Sequence, residues 1–149
     1  MYTGYHSVIA SMSAERGFEV IKIYTEAIDA EKFKDYLERL RKKLAQLPLA
    51  LYMDQLSVHK SKDVRPSYER LDVTPIVNVS YSPQFNAIES AFSKVKRIFN
   101  ERRLHHLVNK KDFDVKREIR DAFKTVTVDH CAACVRKSMF LLRRSAKTE

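Results

Sequence analysis

The chain has 149 residues, of which 44% are hydrophobic, with 2 Gly and 4 Pro. That is the size of one domain (1–149) with a core of two or three layers, and it excludes disordered and fibrous classes. Lys plus Arg number 28 against 19 Asp plus Glu, a formal net charge of +9, which points to a polyanionic partner, most often nucleic acid, with a basic protein lacking such a partner as the alternative.

Two cysteines, Cys131 and Cys134, are a poor basis for a disulfide scaffold, so a reducing, intracellular compartment is expected. No apolar run reaches the roughly 20 residues that cross a bilayer. The segment Met1–Gly17 has no basic leader followed by an apolar core.

His6–Met12 reads as a strand, 14–17 as a turn, and Phe18–Thr25 as a second, β-branched and aromatic strand, giving an antiparallel hairpin. Asp29 caps the next helix, with Glu31 in its first turn. Phe33, Leu37, Leu40, Leu44 and Leu47 form its core-facing stripe, and Pro48 stops it. Leu49–Met53 is too short for a helix and reads as a buried strand of a mixed sheet. Ser61–Arg70 reads as helix interrupted by Pro66, Val73–Val79 as a strand, and Ser80–Phe85 as a loop. From about Asn86 the chain is helical, with Phe85, Ile88, Phe92, Val95 and Phe99 spaced by three and four. Helices at about Lys111–Lys124 and Val128–Arg144 follow. The order β-β-α-β-α-β-α-α-α predicts one α/β domain with both sheet faces covered.

Two carboxylates stand out. Asp54 follows the Leu49–Met53 strand, and ligands in open α/β sheets bind beyond carboxyl ends of strands. The same residue could instead cap the following turn. Glu89 lies in the first turns of a helix with two candidate starts. Either Ser82 is the N-cap with Pro83 first, or Asn86 is the N-cap and Glu89 closes a capping box. Asn86, Glu89, Ser93 and Lys96 share one helix face, which could meet phosphates or simply be solvated. Lys94, Lys96, Arg97, Arg102, Arg103, Arg136, Lys137, Arg143 and Arg144 are candidates for a phosphate-tracking surface. His130-Cys131-x-x-Cys134 lacks the second ligand pair that structural zinc requires, so the two cysteines are read as one buried helix face.

The stretches LYMDQLSVHKS (51–61) and VNVSYSPQFNAIESAFSKVKR (77–97) resemble the two adjacent catalytic motifs of mariner-like DDE transposases. These are an Asp-Asn pair with a nearby His-Lys, then a Tyr-Ser-Pro loop leading into Asn-Pro-Ile-Glu. Residues 55–88, 34 in all, separate Asp54 from Glu89, the spacing typical of that superfamily, and TEAIDAEKFKDYLERL (25–40) resembles its preceding segment. Gln55, Ala87 and Phe92 stand where Asn, Pro and often Trp are usual.

The resemblance implies a ribonuclease H-like fold with its first strand missing. It implies cleavage and strand transfer of double-stranded DNA, at transposon ends and target. It also implies two Mg²⁺ (or Mn²⁺) ions, with Asp54 and Glu89 as metal-binding catalytic residues and His59, Lys60, Asn86, Lys94, Lys96 and Arg97 as DNA contacts; on chemistry alone His59 is a surface loop histidine. A homodimer is possible; no membrane is involved, and the location is nuclear in a eukaryote or cytoplasmic in a bacterium. The family's first catalytic Asp lies upstream of the hairpin, and no residue before His6 fills that place. Glu15 is in a turn, Glu19 near a strand start, and Asp29 is a cap. An N-terminally truncated domain of impaired activity is therefore expected. The alternative is a non-catalytic remnant that binds DNA or a partner.

Overall fold

The computed structural model describes residues 6–147. Met1–Tyr5, the start of the segment read above as carrying no leader, lie outside the described residues, as do Thr148 and Glu149. The elements follow the predicted order: β1 (Ser7–Ser13), β2 (Gly17–Tyr24), α1 (Ala30–Lys43), β3 (Leu49–Met53), α2 (Arg65–Arg70), β4 (Val73–Val77), α3 (Ala87–Val108), α4 (Val115–Lys124) and α5 (Val128–Ser145). The α/β class is as expected. In place of one mixed sheet, the described residues form two two-stranded sheets, β1 with β2 and β3 with β4.

The chain divides into two compact units. Among the described residues, one comprises 6–11 and Glu19–Asn86; the other comprises Met12–Phe18 and 87–147. The first unit is organised by α1. Asp29 caps it, accepting the Lys32 N–H at 2.9 Å. Phe33, Tyr36, Leu37 and Leu40 are 0–3% exposed. They pack with Ile9 of β1, Met53 of β3, Val64 and Tyr68 around α2, and Val73 of β4. The buried Tyr36 hydroxyl donates to Ser11 Oγ (2.7 Å) and Val20 O (3.0 Å), fastening α1 to both hairpin strands. Burial pushes its ionisation above the usual tyrosine range.

Helix α1 ends at Lys43, earlier than Pro48 suggested, and Leu47 is 42% exposed, outside the apolar stripe. The Arg41 guanidinium explains the early stop. It donates to the carbonyls of Leu44 and Leu47, which satisfies the chain end without another helical turn.

Strand β3 pairs in parallel with β4, Leu49 opposite Val73 through Met53 opposite Val77. Each strand of a two-stranded sheet is an edge, so β3 is not the buried strand expected. Met53 is buried but Ala50 is exposed, and β4 from Thr74 onward is exposed. Pro75, which has no N–H to donate, is tolerated in such an edge. Pro66 sits in the first turn of α2 and opens that helix instead of interrupting it.

In the second unit, α3 packs on α4 and α5. Phe18, Phe92 and Phe123 form an aromatic trio, with centroids 4.7 Å apart for Phe18–Phe123, 6.1 Å for Phe92–Phe123 and 6.5 Å for Phe18–Phe92. Phe92 thus packs as a core residue. Asp114 and Thr127 cap α4 and α5 through the N–H groups of Arg117 and His130, both at 3.1 Å. Cys131 and Cys134 are buried and free on one face of α5, and burial raises both thiols. Gly17 has φ +73°, and a Cβ there would meet Val128 Cγ2 at 3.3 Å. Both facts favour glycine at the hairpin tip.

Replacing Leu37, fully buried in α1, by Ala is expected to cost ~2–5 kcal/mol. The same change at the exposed Leu47 should stay within ~0.5 kcal/mol. Urea unfolding of the two variants checks this.

Candidate functional site

Asp54 is the first residue after β3, at the carboxyl end of the strand. Its side chain is 41% exposed. One carboxylate oxygen, Oδ1, accepts the Leu56 N–H at 3.3 Å, an Asx turn, and lies 3.0 Å from His59 Nδ1. The local-turn reading of Asp54 is thus present: Oδ1 is spent on the turn, while Oδ2 makes no hydrogen bond among the described residues.

The 3₁₀ turn Ser57–Lys60 brings His59 back to Asp54. The surface-loop reading of His59 is corrected: it lies in this 3₁₀ turn and is half-buried. Its side chain is 14% exposed, with its ring 4.6 Å from that of Phe33 on α1. Tyr68 donates its hydroxyl to His59 O at 2.9 Å, and burial raises the Tyr68 hydroxyl to about 12. Lys60 is exposed and donates to Gln55 Oε1 at 3.0 Å.

Asn78, 4% exposed, was not singled out in the sequence. It joins the Asp54 turn to the Tyr-Ser-Pro loop. Its N–H donates to Met53 O (2.8 Å), prolonging the β3–β4 ladder. Its side-chain oxygen accepts from Tyr52 (2.7 Å), its side-chain amide donates to Ser82 O (2.7 Å), and its carbonyl accepts from Gln55 Nε2 (2.9 Å). Gln55, in place of the usual Asn, thus has a definite partner. The one sequence signal was a polar residue within a β-branched run.

Both candidate starts of the last motif are used in succession. Pro83 opens a 3₁₀ turn, Pro83–Phe85, after Ser82, and α3 begins at Ala87. The Asn86 N–H donates to Pro83 O at 2.9 Å, the position a capping box would have reserved for Glu89. The half-buried Glu89 carboxylate is left in the first turn of α3, where the helix terminus favours negative charge. Asn86 is 6% exposed, so its amide offers little surface to a phosphate.

The basic residues fall into two groups. Lys96, Arg97, Arg103, Arg136, Lys137, Arg143 and Arg144 are exposed and Lys94 is half-buried. Arg97 also meets Glu101 at 2.9 Å in an exposed pair, an arrangement of little energetic weight. Arg102 departs from the surface reading: it binds the buried Glu118 at 2.5 Å and Asp121 at 3.4 Å. His106 adds a contact to Glu118 at 3.5 Å. The signal for Glu118 was a carboxylate in register with Val115 and Ala122 on the inner face of α4.

Asp54 and Glu89 supply hard oxygen donors, which suit Mg²⁺. They fit the metal in kind. Among the described residues no group of three or more His, Cys, Asp or Glu gathers as a metal site. No described helix is long and apolar enough to cross a membrane.

Arg102→Ala leaves Glu118 without its closest cation, and is expected to cost roughly 3 kcal/mol. Thermal unfolding of the variant checks this.

Residues 4–110 match the family described as DDE superfamily endonuclease. No curated protein matches the chain. Among solved structures, the catalytic domain of Mos1 mariner transposase is similar with TM-score 0.65 at 16% identity, over 88% of this chain and 67% of that one. That domain has also been solved with Raltegravir and Mn or Mg. The Mos1 transposase paired-end complex with left transposon end gives TM-score 0.67 at 15% identity, over 88% of this chain but 39% of that one. The simian T-cell lymphotropic virus intasome in complex with PP2A regulatory subunit B56 gamma gives 0.59 at 10% identity, over 82% and 46%. The fold is thus the ribonuclease H-like fold of the mariner transposase catalytic domain, and the chain belongs to the DDE superfamily endonuclease family.

Proposed function

We propose that this chain is a transposase catalytic domain that acts on double-stranded DNA, with Asp54 and Glu89 as its metal-binding catalytic carboxylates. The observation that carries the reading is the state of these two side chains. Asp54 keeps one oxygen free at the end of β3, and Glu89 is released from helix capping by the Asn86–Pro83 hydrogen bond. The family match supports the same assignment.

The division of labour follows from the residues. Asp54 and Glu89 would hold the ions, Mg²⁺ or Mn²⁺. Bound there, two ions supply stabilisation of the attacking and leaving oxygens of an in-line phosphodiester displacement. The Asx turn and His59 hold Oδ1 of Asp54, which leaves Oδ2 as the oxygen that would bind the ion. Lys60, Lys94, Lys96 and Arg97 would neutralise DNA phosphates without reading bases. Transposon ends and target DNA are the substrates, a homodimer is a fitting assembly for two ends, and the site of action is the nucleus in a eukaryote or the cytoplasm in a bacterium.

A second reading is favoured by one observation: no group of three or more His, Cys, Asp or Glu gathers among the described residues. On that reading the chain is a non-catalytic remnant that binds DNA or a partner.

Binding and cleavage measured on one duplex separate the two readings. Affinity for DNA is expected to fall steeply with salt, and Lys96→Ala to reduce the salt slope by about 1. In titrations with MnCl₂, Asp54→Asn and Glu89→Gln should each weaken binding at least ~10-fold. Unchanged Mn²⁺ binding in both variants would exclude the metal-carboxylate reading. Metal-dependent cutting at an ordinary enzymatic rate would exclude the non-catalytic one.

A further inference from the structure

We infer that His59 is a positioning residue for Asp54: its Nδ1–H holds one carboxylate oxygen so that the other faces a divalent cation. The inference rests on the metal-binding reading of Asp54 proposed above.

His59 Nδ1 lies 3.0 Å from Asp54 Oδ1 and 3.2 Å from the Asp54 carbonyl oxygen. A carbonyl oxygen only accepts, so Nδ1 must carry the hydrogen, which fixes the tautomer. The hydrogen is shared between the main chain and side chain of one residue. That sets the carboxylate relative to its own backbone at the end of β3. Leu56 N–H approaches the same Oδ1 from the other side of the turn, at 3.3 Å. Two donors on Oδ1 define the direction of Oδ2.

The imidazole is itself held. Phe33 stacks beside its ring at 4.6 Å, and Tyr68 donates to its backbone carbonyl at 2.9 Å. Phe33 and Tyr68 belong to the buried core of the first unit. The chain of restraint therefore runs from the core, through His59, to Asp54. A histidine 14% exposed in a basic, DNA-seeking protein is poorly placed to meet phosphate and well placed for this task. Hydrogen-bond partners of metal-binding side chains typically change metal affinity 10–100-fold when removed.

The test uses the full 149-residue chain and MnCl₂ alone. His59→Phe keeps an aromatic ring against Phe33 but removes the donor. His59→Asn supplies a donor at the Nδ1 position. Thermal unfolding establishes that both variants fold. The expected result is Mn²⁺ affinity reduced ~10-fold in His59→Phe and restored to within ~3-fold of the parent in His59→Asn. Parent-like affinity in His59→Phe would overturn the inference, as would an Asn variant as weak as the Phe variant. Asp54→Asn serves as the control. If it binds Mn²⁺ like the parent, the metal reading itself falls; if it loses Mn²⁺ while His59→Phe keeps it, only the role of His59 falls.

Discussion

The buried side chain of Asn78 is the constraint on which the Asp54 end of the site depends. Four hydrogen bonds meet at this residue, from and to Met53, Tyr52, Gln55 and Ser82. Each net hydrogen bond contributes only about 1 kcal/mol, but a buried amide stripped of its partners costs more than that per group. The arrangement therefore tolerates few alternatives. It ties the last residue of β3, the turn that follows Asp54, and the loop leading to α3 into one piece. Because β3 and β4 are both edges, the ladder alone would be a weak restraint. Asn78 extends it by one bond and turns it into a clasp.

Charge is used in two ways. The chain carries a surplus of nine positive charges, and most of the arginines and lysines of α3 and α5 are exposed, as a phosphate-binding surface requires. Arg102 is turned to a partner, because Glu118 has no solvent to satisfy it. A carboxylate 2% exposed must find a cation or stay neutral. In unit two, electrostatics thus serve folding in one place and remain available for recognition elsewhere. The two roles look alike in a count of basic residues.

The element order and the stripe Phe33, Leu37, Leu40 and Leu44 were legible in the sequence because helical periodicity and capping are local. So was the burial of Cys131 and Cys134 on one face of α5. The end of α1 was not legible, since it is set by Arg41 reaching two carbonyls beyond the helix. Nor was the pairing of strands, which depends on partners far apart in the chain: one mixed sheet was expected, and the described residues form two two-stranded sheets. At the site, Asp54 and Glu89 emerged from motif and spacing. Asn78 did not, since a buried asparagine in a strand leaves no periodic mark. The half-buried setting of His59 was not legible, because sequence cannot distinguish a histidine facing solvent from one facing its own neighbouring aspartate.

The central proposal is that Asp54 and Glu89 are metal ligands. The most direct measurement is an anomalous-difference map from crystals of the chain grown with Mn²⁺. The proposal predicts Mn²⁺ at ligand distance, ~2.1 Å, from Asp54 Oδ2 and from the Glu89 carboxylate. Manganese bound to neither residue, or to one while the other turns to a separate partner, would contradict it.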